Sequence, residues 1–230
     1  MKKIKDLFRL AYSKFDLKKF LLLFGLFIAP LIFYIFLSLG IYKHQNLPIL
    51  TEEVTDFKPL SSTNASFATK LNIVCFLGSN ISEAKASLFN LNQTIYKRYY
   101  QKPYFQAVAI IPKESEKDYS EVIVELSAFT DIKNWQFVYA SKTEIQQLFA
   151  SFKTPFDLNQ NLYSENAFIV DMDLRLRGRK DDEDTSDGKL YGYTMKEVAT
   201  LKNKMKDDIA IIYYQLKKSE EKKARRKREI

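Results

Sequence analysis

Residues 71–83, LNIVCFLGSNISE, decide the fold of this chain. The apolar run 73–77 predicts a buried strand, and the GSN sequence at 78–80 predicts a sharp turn into a helix. Where a strand turns into a helix N-terminus, backbone donors converge and can hold an anion or lower the pKa of a thiol. This turn contains no cysteine and no histidine, and Cys75 lies inside the strand as a small apolar residue. The sequence therefore predicts an α/β scaffold whose corner lacks the usual catalytic side chains.

The composition limits the classes of function. The length of 230 residues and the formal net charge of +8 fit one domain with additional segments, and the basic residues are concentrated at the two ends. A basic chain can bind nucleic acid, but no nucleic-acid-binding motif occurs here, so we predict no nucleic-acid partner. One cysteine and one histidine cannot form an internal disulfide or an ordinary zinc or copper site. We therefore predict no metal and no cofactor.

Residues 20–42, FLLLFGLFIAPLIFYIFLSLGIY, contain no charged side chain. A helix of about 20 apolar residues spans a hydrocarbon core of about 30 Å, so this run predicts one N-terminal transmembrane helix. A cleaved signal peptide is the alternative, since residues 38–40 (SLG) have small side chains at cleavage spacing. The apolar core of a signal peptide is usually only about 7–15 residues long, which favours an uncleaved anchor.

The flanks of the apolar run predict its orientation. Residues 1–19 are strongly basic, whereas Glu52, Glu53 and Asp56 follow the run. Because basic flanks stay in the cytoplasm, we predict a single-pass protein of the bacterial inner membrane with a periplasmic main domain. Residues 43–70 contain two prolines and a polar run, which is typical of a tether between anchor and domain.

Strand and helix patterns alternate in the domain, which we place at residues 71–216. Strands are predicted at 71–77, 105–111, 135–139 and 167–172 and in a closing pair, 174–179 and 189–193. Helices are predicted at about 80–100, 116–129, 141–152 and 194–216, and three of them begin with capping-box spacing, at Asn80/Glu83, Ser141/Glu144 and Thr194/Glu197. This order predicts a mixed sheet with a parallel core, an antiparallel edge and helices on both faces.

Two charged segments allow more than one interpretation. The loop 181–188, DDEDTSDG, has the acid density of a calcium loop but not its spacing, so we predict a solvated hairpin loop instead of an ion site. Residues 217–230, KKSEEKKARRKREI, form a charged tail. This tail is either a solvated helical extension or a surface for anionic lipids or an acidic partner.

The order of elements, with a turn after the first strand as the reactive corner, resembles the thioredoxin-like arrangement. Two local strings resemble the Sco/SenC family: residues 134–138 (NWQFV) before a short helix, and residues 167–170 (AFIV) followed by Asp173 and 175–178 (RLRG). The resemblance covers about residues 67–216. Sco/SenC proteins are membrane-tethered, thioredoxin-fold factors for copper delivery or thiol reduction in cytochrome oxidase assembly, and the anchor and tether predicted here are similar to theirs.

The chain departs from the family at its functional positions. The family's CxxxC pair belongs where this chain has residues 78–83 (GSNISE), and its copper-ligand histidine belongs where this chain has residues 164–166 (SEN). Copper(I) selects thiolates and disulfide exchange needs two sulfurs, so we predict a protein that is not an enzyme. The alternatives are an active copper-handling or thiol-redox factor and a permanent structural subunit of a membrane complex.

The resemblance implies docking to a membrane complex, such as the respiratory oxidase, or assistance in the assembly of that complex. We predict that a protein partner in the inner membrane or periplasm docks at the corner, between the first helix and a loop before the fourth strand. The candidate docking residues are Gly78, Ser79, Asn80 and Ile81 on one side and Ser164, Glu165 and Asn166 on the other. Unpaired N–H groups and the helix dipole there favour a partner's backbone or carboxylate.

Overall fold

The computed structural model describes residues 17–38, 46–60, 65–68 and 70–228. The chain divides into two compact units, Met1–His44 and Gln45–Ile230. In the first unit, helix α1 (Leu17–Leu23), a π-helical turn (Phe24–Ile28) and helix α2 (Ala29–Ser38) follow one another. No helix in the part of the chain that the structure describes is both long and apolar enough to cross a membrane.

Some of the predicted segments lie partly outside the described residues. They are most of the basic flank (1–16), the end of the apolar run (39–42), parts of the tether (43–45, 61–64 and 69) and the last two residues of the tail (229–230).

The second unit contains one seven-stranded sheet and its flanking helices. The strands are β1 (Ile49–Thr51), β2 (Leu71–Leu77), β3 (Phe105–Pro112), β4 (Trp135–Ala140), β5 (Tyr163–Val170), β6 (Leu176–Arg177) and β7 (Tyr193–Thr194). The helices are α3 (Ile81–Leu91), α4 (Lys97–Tyr99), α5 (Glu116–Phe129), α6 (Lys142–Ser151), α7 (Val198–Thr200) and α8 (Lys206–Arg228). π-Helical turns join α3 to α4 (Asn92–Tyr96) and α7 to α8 (Leu201–Met205), and 3-10 turns occur at Lys58–Leu60 and Lys113–Ser115.

The sheet is mixed, with the order β1-β6-β5-β2-β3-β4 and with β7 paired to β5. Strands β2, β3 and β4 are parallel to one another. Strand β5 is antiparallel to β2, β6 and β7, and β1 is antiparallel to β6. The predicted parallel core and antiparallel edge are therefore confirmed. Strand β2 lies at the centre, and all seven of its residues are buried.

Two apolar layers cover the faces of the sheet. Ile73 and Cys75 point into one layer, which α3, α5 and α8 also fill, whereas Val74 and Phe76 point into the other, which α6 and the segment before β2 fill. Since alternate residues of a strand point to opposite faces, one apolar strand supplies both layers. The predicted helices on both faces are confirmed.

The segment predicted to be a tether is part of the domain over most of its length. Strand β1 belongs to the sheet, and Val54, Phe57 and Phe67 are almost completely buried. The prediction was wrong because three strand residues and isolated apolar side chains between prolines give no periodic signal. The predicted pairing of the closing strands was also wrong. β6 pairs with β1 and β5 instead of β7, and the two sides of the acidic loop are joined by an isolated bridge between Arg179 and Leu190 and by a hydrogen bond of 2.8 Å from the Asp182 N–H to the Gly188 carbonyl oxygen.

The helix starts test the predicted capping boxes. At Ser141 both reciprocal bonds are present, so this prediction is confirmed. Asn80 occupies the N-cap position of α3, but its side chain makes no cap hydrogen bond. Thr194 lies in β7, paired with Asn166, and α7 begins only at Val198. The residue spacing of a capping box therefore occurs three times, but both bonds form only at Ser141. At Thr194 they cannot form, because this residue is paired in the sheet.

This difference gives a paired test of helix capping. We expect Ser141→Ala to lower the free energy of unfolding by about 1 kcal/mol, since it removes a formed cap. Asn80→Ala should change the free energy of unfolding by less than about 0.5 kcal/mol, as an exposed substitution without a lost bond does. Urea denaturation of both variants checks this. A larger cost for Asn80→Ala than for Ser141→Ala would contradict the observed pattern of caps.

Candidate functional site

The corner after β2 is packed directly against the chain that enters β5. Gly78 has a φ of +64°, and a Cβ at this position would lie 2.4 Å from the Asn161 carbonyl oxygen and 2.8 Å from Tyr163. The Ser79 N–H donates a hydrogen bond of 2.8 Å to the same carbonyl oxygen. Only glycine combines this left-handed φ with so close an approach of backbone to backbone. The glycine predicted from the turn therefore fixes the contact between the two sides of the candidate site.

The second side of the predicted site is a strand and not a loop. Ser164, Glu165 and Asn166 lie in β5, which begins at Tyr163. Ser164 and Asn166 are buried, whereas Glu165 is exposed. The prediction of a loop was wrong because polar residues interrupt the apolar pattern of this strand. Tyr163 pairs with Leu77 across an irregular register, so the β5 side lies next to the corner as predicted.

The two sides expose different amounts of surface. On the corner, Gly78 is buried, Ile81 is half-buried, and Ser79 and Asn80 are exposed. The first N–H groups of a helix have no partner within the helix, and the Asn80 side chain caps none of them. The accessible part of the predicted docking surface is therefore formed by Ser79 and Asn80, with Glu165 on the other side.

A cleft of ≈ 410 Å³ opens on the β5 side of the predicted site, and none of the corner residues 78–81 is among those that line it. It is lined by Ser164, Glu165 and Asn166 and, among others, by Glu83, Asp157, Asn159, Tyr163 and Lys196. The Glu83 carboxylate, in the first turn of α3, accepts hydrogen bonds of 2.9 and 3.1 Å from the Asn159 amide. Lys196 donates a hydrogen bond of 2.7 Å to Glu165. The sequence pattern predicts that Glu83 bonds to Asn80 in a capping box, whereas its side-chain partner, Asn159, lies 76 residues further along the chain.

The charges around the cleft are mainly negative. The carboxylates of Glu83, Asp157 and Glu165 line it together with one ammonium, that of Lys196. The hydrogen bond to Glu165 raises the pKa of Lys196 above its ordinary value, so this side chain stays charged. Glu83 already complements the positive end of the α3 dipole. These charges disfavour a carboxylate in the cleft, whereas the docking groups predicted for the corner, a partner's backbone or carboxylate, stay predictions.

Cys75 is part of the core. Its side chain is fully buried in β2, and Sγ lies 3.7 Å from the Val108 carbonyl oxygen, to which it donates. Burial raises the pKa of the thiol far above its ordinary value. The thiolate is the reactive form of cysteine, so this thiol is inert in the folded domain. The structure thus places it as the sequence predicted, away from the corner.

Sequence reasoning missed a buried charge cluster under the acidic loop. The Asp208 carboxylate accepts two bonds from Arg179, of 2.8 and 3.0 Å, and one of 2.6 Å from the Tyr193 hydroxyl. Asp182 is almost fully buried and accepts bonds of 2.7 and 2.9 Å from Lys204. The predicted solvated loop is therefore wrong at Asp182. A signal did exist: Asp208 lies at helical spacing on the buried face of α8, next to Ile209.

The cluster contains its own cations. Arg179 and Lys204 neutralise the buried carboxylates, so the arrangement fastens Arg179 to α8 and the acidic loop to the π-helical turn before α8. In the described residues, no group of three or more His, Cys, Asp or Glu side chains is placed to hold a metal ion.

The mixed sheet, its flanking helices and the corner after the central strand β2 define a thioredoxin-like domain. Solved structures similar to this chain include BsSco, a member of the Sco family of cytochrome c oxidase assembly proteins, at 14% identity over 72% of this chain and 94% of that one, with a TM-score of 0.46. An SCO1/SenC family lipoprotein from Bacillus anthracis str. Ames is 16% identical over 71% and 91% of the two chains, with a TM-score of 0.40.

A third similar structure is Bradyrhizobium japonicum ScoI with copper bound, at 13% identity over 72% of this chain and 98% of that one, with a TM-score of 0.39. No family model matches the chain, and no curated protein matches it.

Proposed function

We propose that this chain is a membrane-anchored, extracytoplasmic thioredoxin-like protein that docks to a membrane complex, or assists its assembly, without thiol or metal chemistry. One observation carries the proposal: the corner after β2 has the sequence Gly78-Ser79-Asn80, and the single cysteine of the chain is fully buried in the strand before it. A dithiol reaction needs two accessible sulfurs, and copper(I) needs soft ligands. What remains at the corner is an exposed surface with backbone donors, which suits protein recognition.

The anchoring part of the proposal is supported by the first unit. Residues 20–42 carry no charge, and the large apolar side chains described between Leu21 and Ile35 are exposed. Exposed apolar side chains in such number are unfavourable in water and favourable in a bilayer. With the basic flank 1–19 in the cytoplasm, the second unit lies in the periplasm of a bacterium.

The docking part concerns the exposed residues of the corner. Ser79 and Asn80 offer a surface at the N-terminus of α3, and Glu165 borders it on β5. We propose that a partner's main chain binds there, since its carbonyl groups can accept from the N–H groups of Ile81 and Ser82, whereas the Glu83 N–H already donates to the Asn80 carbonyl oxygen. The buried residues Gly78, Ser164 and Asn166 support this surface without touching the partner. The sequence resemblance to Sco/SenC proteins makes the respiratory oxidase the complex to test first.

The chemical half of the proposal is tested by metal and thiol assays on the full-length protein in detergent. We expect no stoichiometric copper(I) binding in competition with a chromophoric chelator and no catalysis of insulin reduction, because the buried Cys75 offers no accessible thiolate. Cys75→Ala is the matched control and should behave like the wild type in both assays. One tightly bound copper(I) per chain that Cys75→Ala abolishes would overturn the proposal and favour the copper-handling alternative.

A further inference from the structure

Helix α8 has two halves of different character. Its first half packs on the core: Ile209 is fully buried, Ile212 is 2% exposed and Leu216 packs against the same cluster. From Lys217 onwards the described helix continues to Arg228 without an apolar residue larger than Ala224. Residues 217–228 contain eight basic and two acidic side chains. This basic extension therefore has no apolar face that could pack on the domain.

The basic extension leaves the domain beside the point where the chain enters it. Gln215 donates a hydrogen bond of 3.2 Å to the Asn46 side-chain oxygen. The Arg177 guanidinium links the same two segments of the chain. It donates to the Leu47 carbonyl oxygen at 3.0 Å and to the Gln215 amide oxygen at 3.0 Å. Arg177 is itself 8% exposed and is held by Asp171 at 2.8 Å. The start of the extension is therefore tied to residues 46 and 47 by a buried, ion-paired side chain.

Chain connectivity links this point to the bilayer. Asn46 follows Tyr42, the last residue of the uncharged run, by four positions, and an extended chain spans at most about 3.6 Å per residue. If residues 20–42 are embedded in a membrane, Asn46 lies close to its surface, and Gln215 must lie there too. This step rests on the anchoring proposed above.

We infer that the basic extension, residues 217–228, binds the head groups of anionic phospholipids on the membrane surface next to the anchor. Lysine and arginine residues near an anionic leaflet are attracted to it, and the attraction falls off within a Debye length. Because the extension lacks large apolar side chains, it binds by charge at the level of the head groups and does not insert.

Fluorescence quenching on the full-length protein tests this contact. A fluorophore is attached at Ala224→Cys, which labels selectively because Cys75 is buried, and the protein is reconstituted into phosphatidylcholine vesicles with or without phosphatidylglycerol. The quencher is a lipid with a spin-labelled head group. We expect about threefold stronger quenching with the anionic lipid, lost at about 1 M salt, where the Debye length falls to about 3 Å.

Two variants serve as controls. Replacing Lys222, Lys223, Arg225 and Arg226 by glutamine keeps the helix propensity but removes four charges, and it should abolish the effect of the anionic lipid. A label at Val124→Cys, on an exposed position of α5, should show no dependence on the anionic lipid. Equal quenching of Ala224→Cys in both kinds of vesicle, or quenching that survives the four glutamines, would overturn the inference and leave an acidic protein as the partner of the extension.

A third label separates this inference from the proposed function. Leu31→Cys lies in the apolar run, and its fluorophore should be quenched by lipids spin-labelled on the acyl chain, with or without anionic lipid. If Leu31→Cys is not quenched, the proposed anchoring fails. If it is quenched and Ala224→Cys is not, only the lipid contact of the extension is wrong.

Discussion

Gly78→Ala is expected to lower the free energy of unfolding by about 2–5 kcal/mol, which is enough to unfold a marginal domain. The methyl group would meet the Asn161 carbonyl oxygen at 2.4 Å and Tyr163 at 2.8 Å, and both belong to the chain that enters β5. Neither the strain of an alanine at a left-handed φ of +64° nor the close contact can be relieved without separating β2 from β5. Urea denaturation followed by circular dichroism measures the loss.

Gly188→Ala is the matched control for this prediction. Gly188 also has a left-handed φ, of +72°, but the nearest atom to an added Cβ, the Lys180 carbonyl oxygen, is 3.1 Å away. Gly188→Ala should therefore lower the free energy of unfolding by about 1–2 kcal/mol, the cost of the left-handed backbone conformation alone. Equal losses for the two variants would show that the close approach of Asn161 to the corner is not a constraint in solution.

Arg179→Met is expected to lower the free energy of unfolding by about 3–5 kcal/mol, because it leaves the buried Asp208 carboxylate without its cation. Asp208 is 1% exposed, and its remaining partner is the Tyr193 hydroxyl at 2.6 Å. Burial raises the pKa of Asp208, and Arg179 opposes that rise. The difference in free energy of unfolding between the wild type and Arg179→Met should therefore become smaller as the pH falls and the Asp208 carboxyl is protonated.

Lys85→Met provides the comparison for the buried pair. Lys85 pairs with Glu125 at 2.6 Å, but about half of each side chain is exposed to solvent. Its loss should change the free energy of unfolding by less than about 1 kcal/mol. Similar costs for Arg179→Met and Lys85→Met in urea denaturation at neutral pH would mean that Asp208 is not an ionised, buried group.

The central part of the fold could be predicted because its elements carry strong local signals. Strand β2 is a continuous apolar run, and the capping box at Ser141 starts α6. The edges could not be predicted. Strand β1 has three residues and gains its stability from pairing with β6, a contact between residues far apart in sequence. Ser164 and Asn166 interrupt the apolar pattern of β5, so its first half resembled a loop.

The same distinction applies to the candidate site. Gly78 could be recognised from the turn, since glycine after a buried strand is a local signal. Its partner Asn161, and the bond from Asn159 to Glu83, depend on tertiary contacts across more than 70 positions. The negative charge of the cleft arises in the same way, because Glu83, Asp157 and Glu165 come from separate parts of the chain. Sequence alone therefore located the corner and not its electrostatic character.

Quantitative copurification from detergent-solubilised membranes of the native host tests whether the corner binds a protein partner without thiol chemistry. The test variant is Ser79→Arg with Glu165→Arg, because both side chains are exposed, whereas Asn166 is buried and would report on folding instead. Glu121→Arg, on an exposed position of α5, controls for added positive charge, and Cys75→Ala controls for thiol chemistry.

We expect the double arginine variant to keep the wild-type free energy of unfolding and to lose the partner by a factor of about 10 or more, which corresponds to about 1.4 kcal/mol of binding free energy. Glu121→Arg and Cys75→Ala should retain the partner at the wild-type level. Wild-type recovery of the partner with the double arginine variant would show that the corner is not the docking surface, and loss of the partner with Cys75→Ala alone would show that docking needs the thiol.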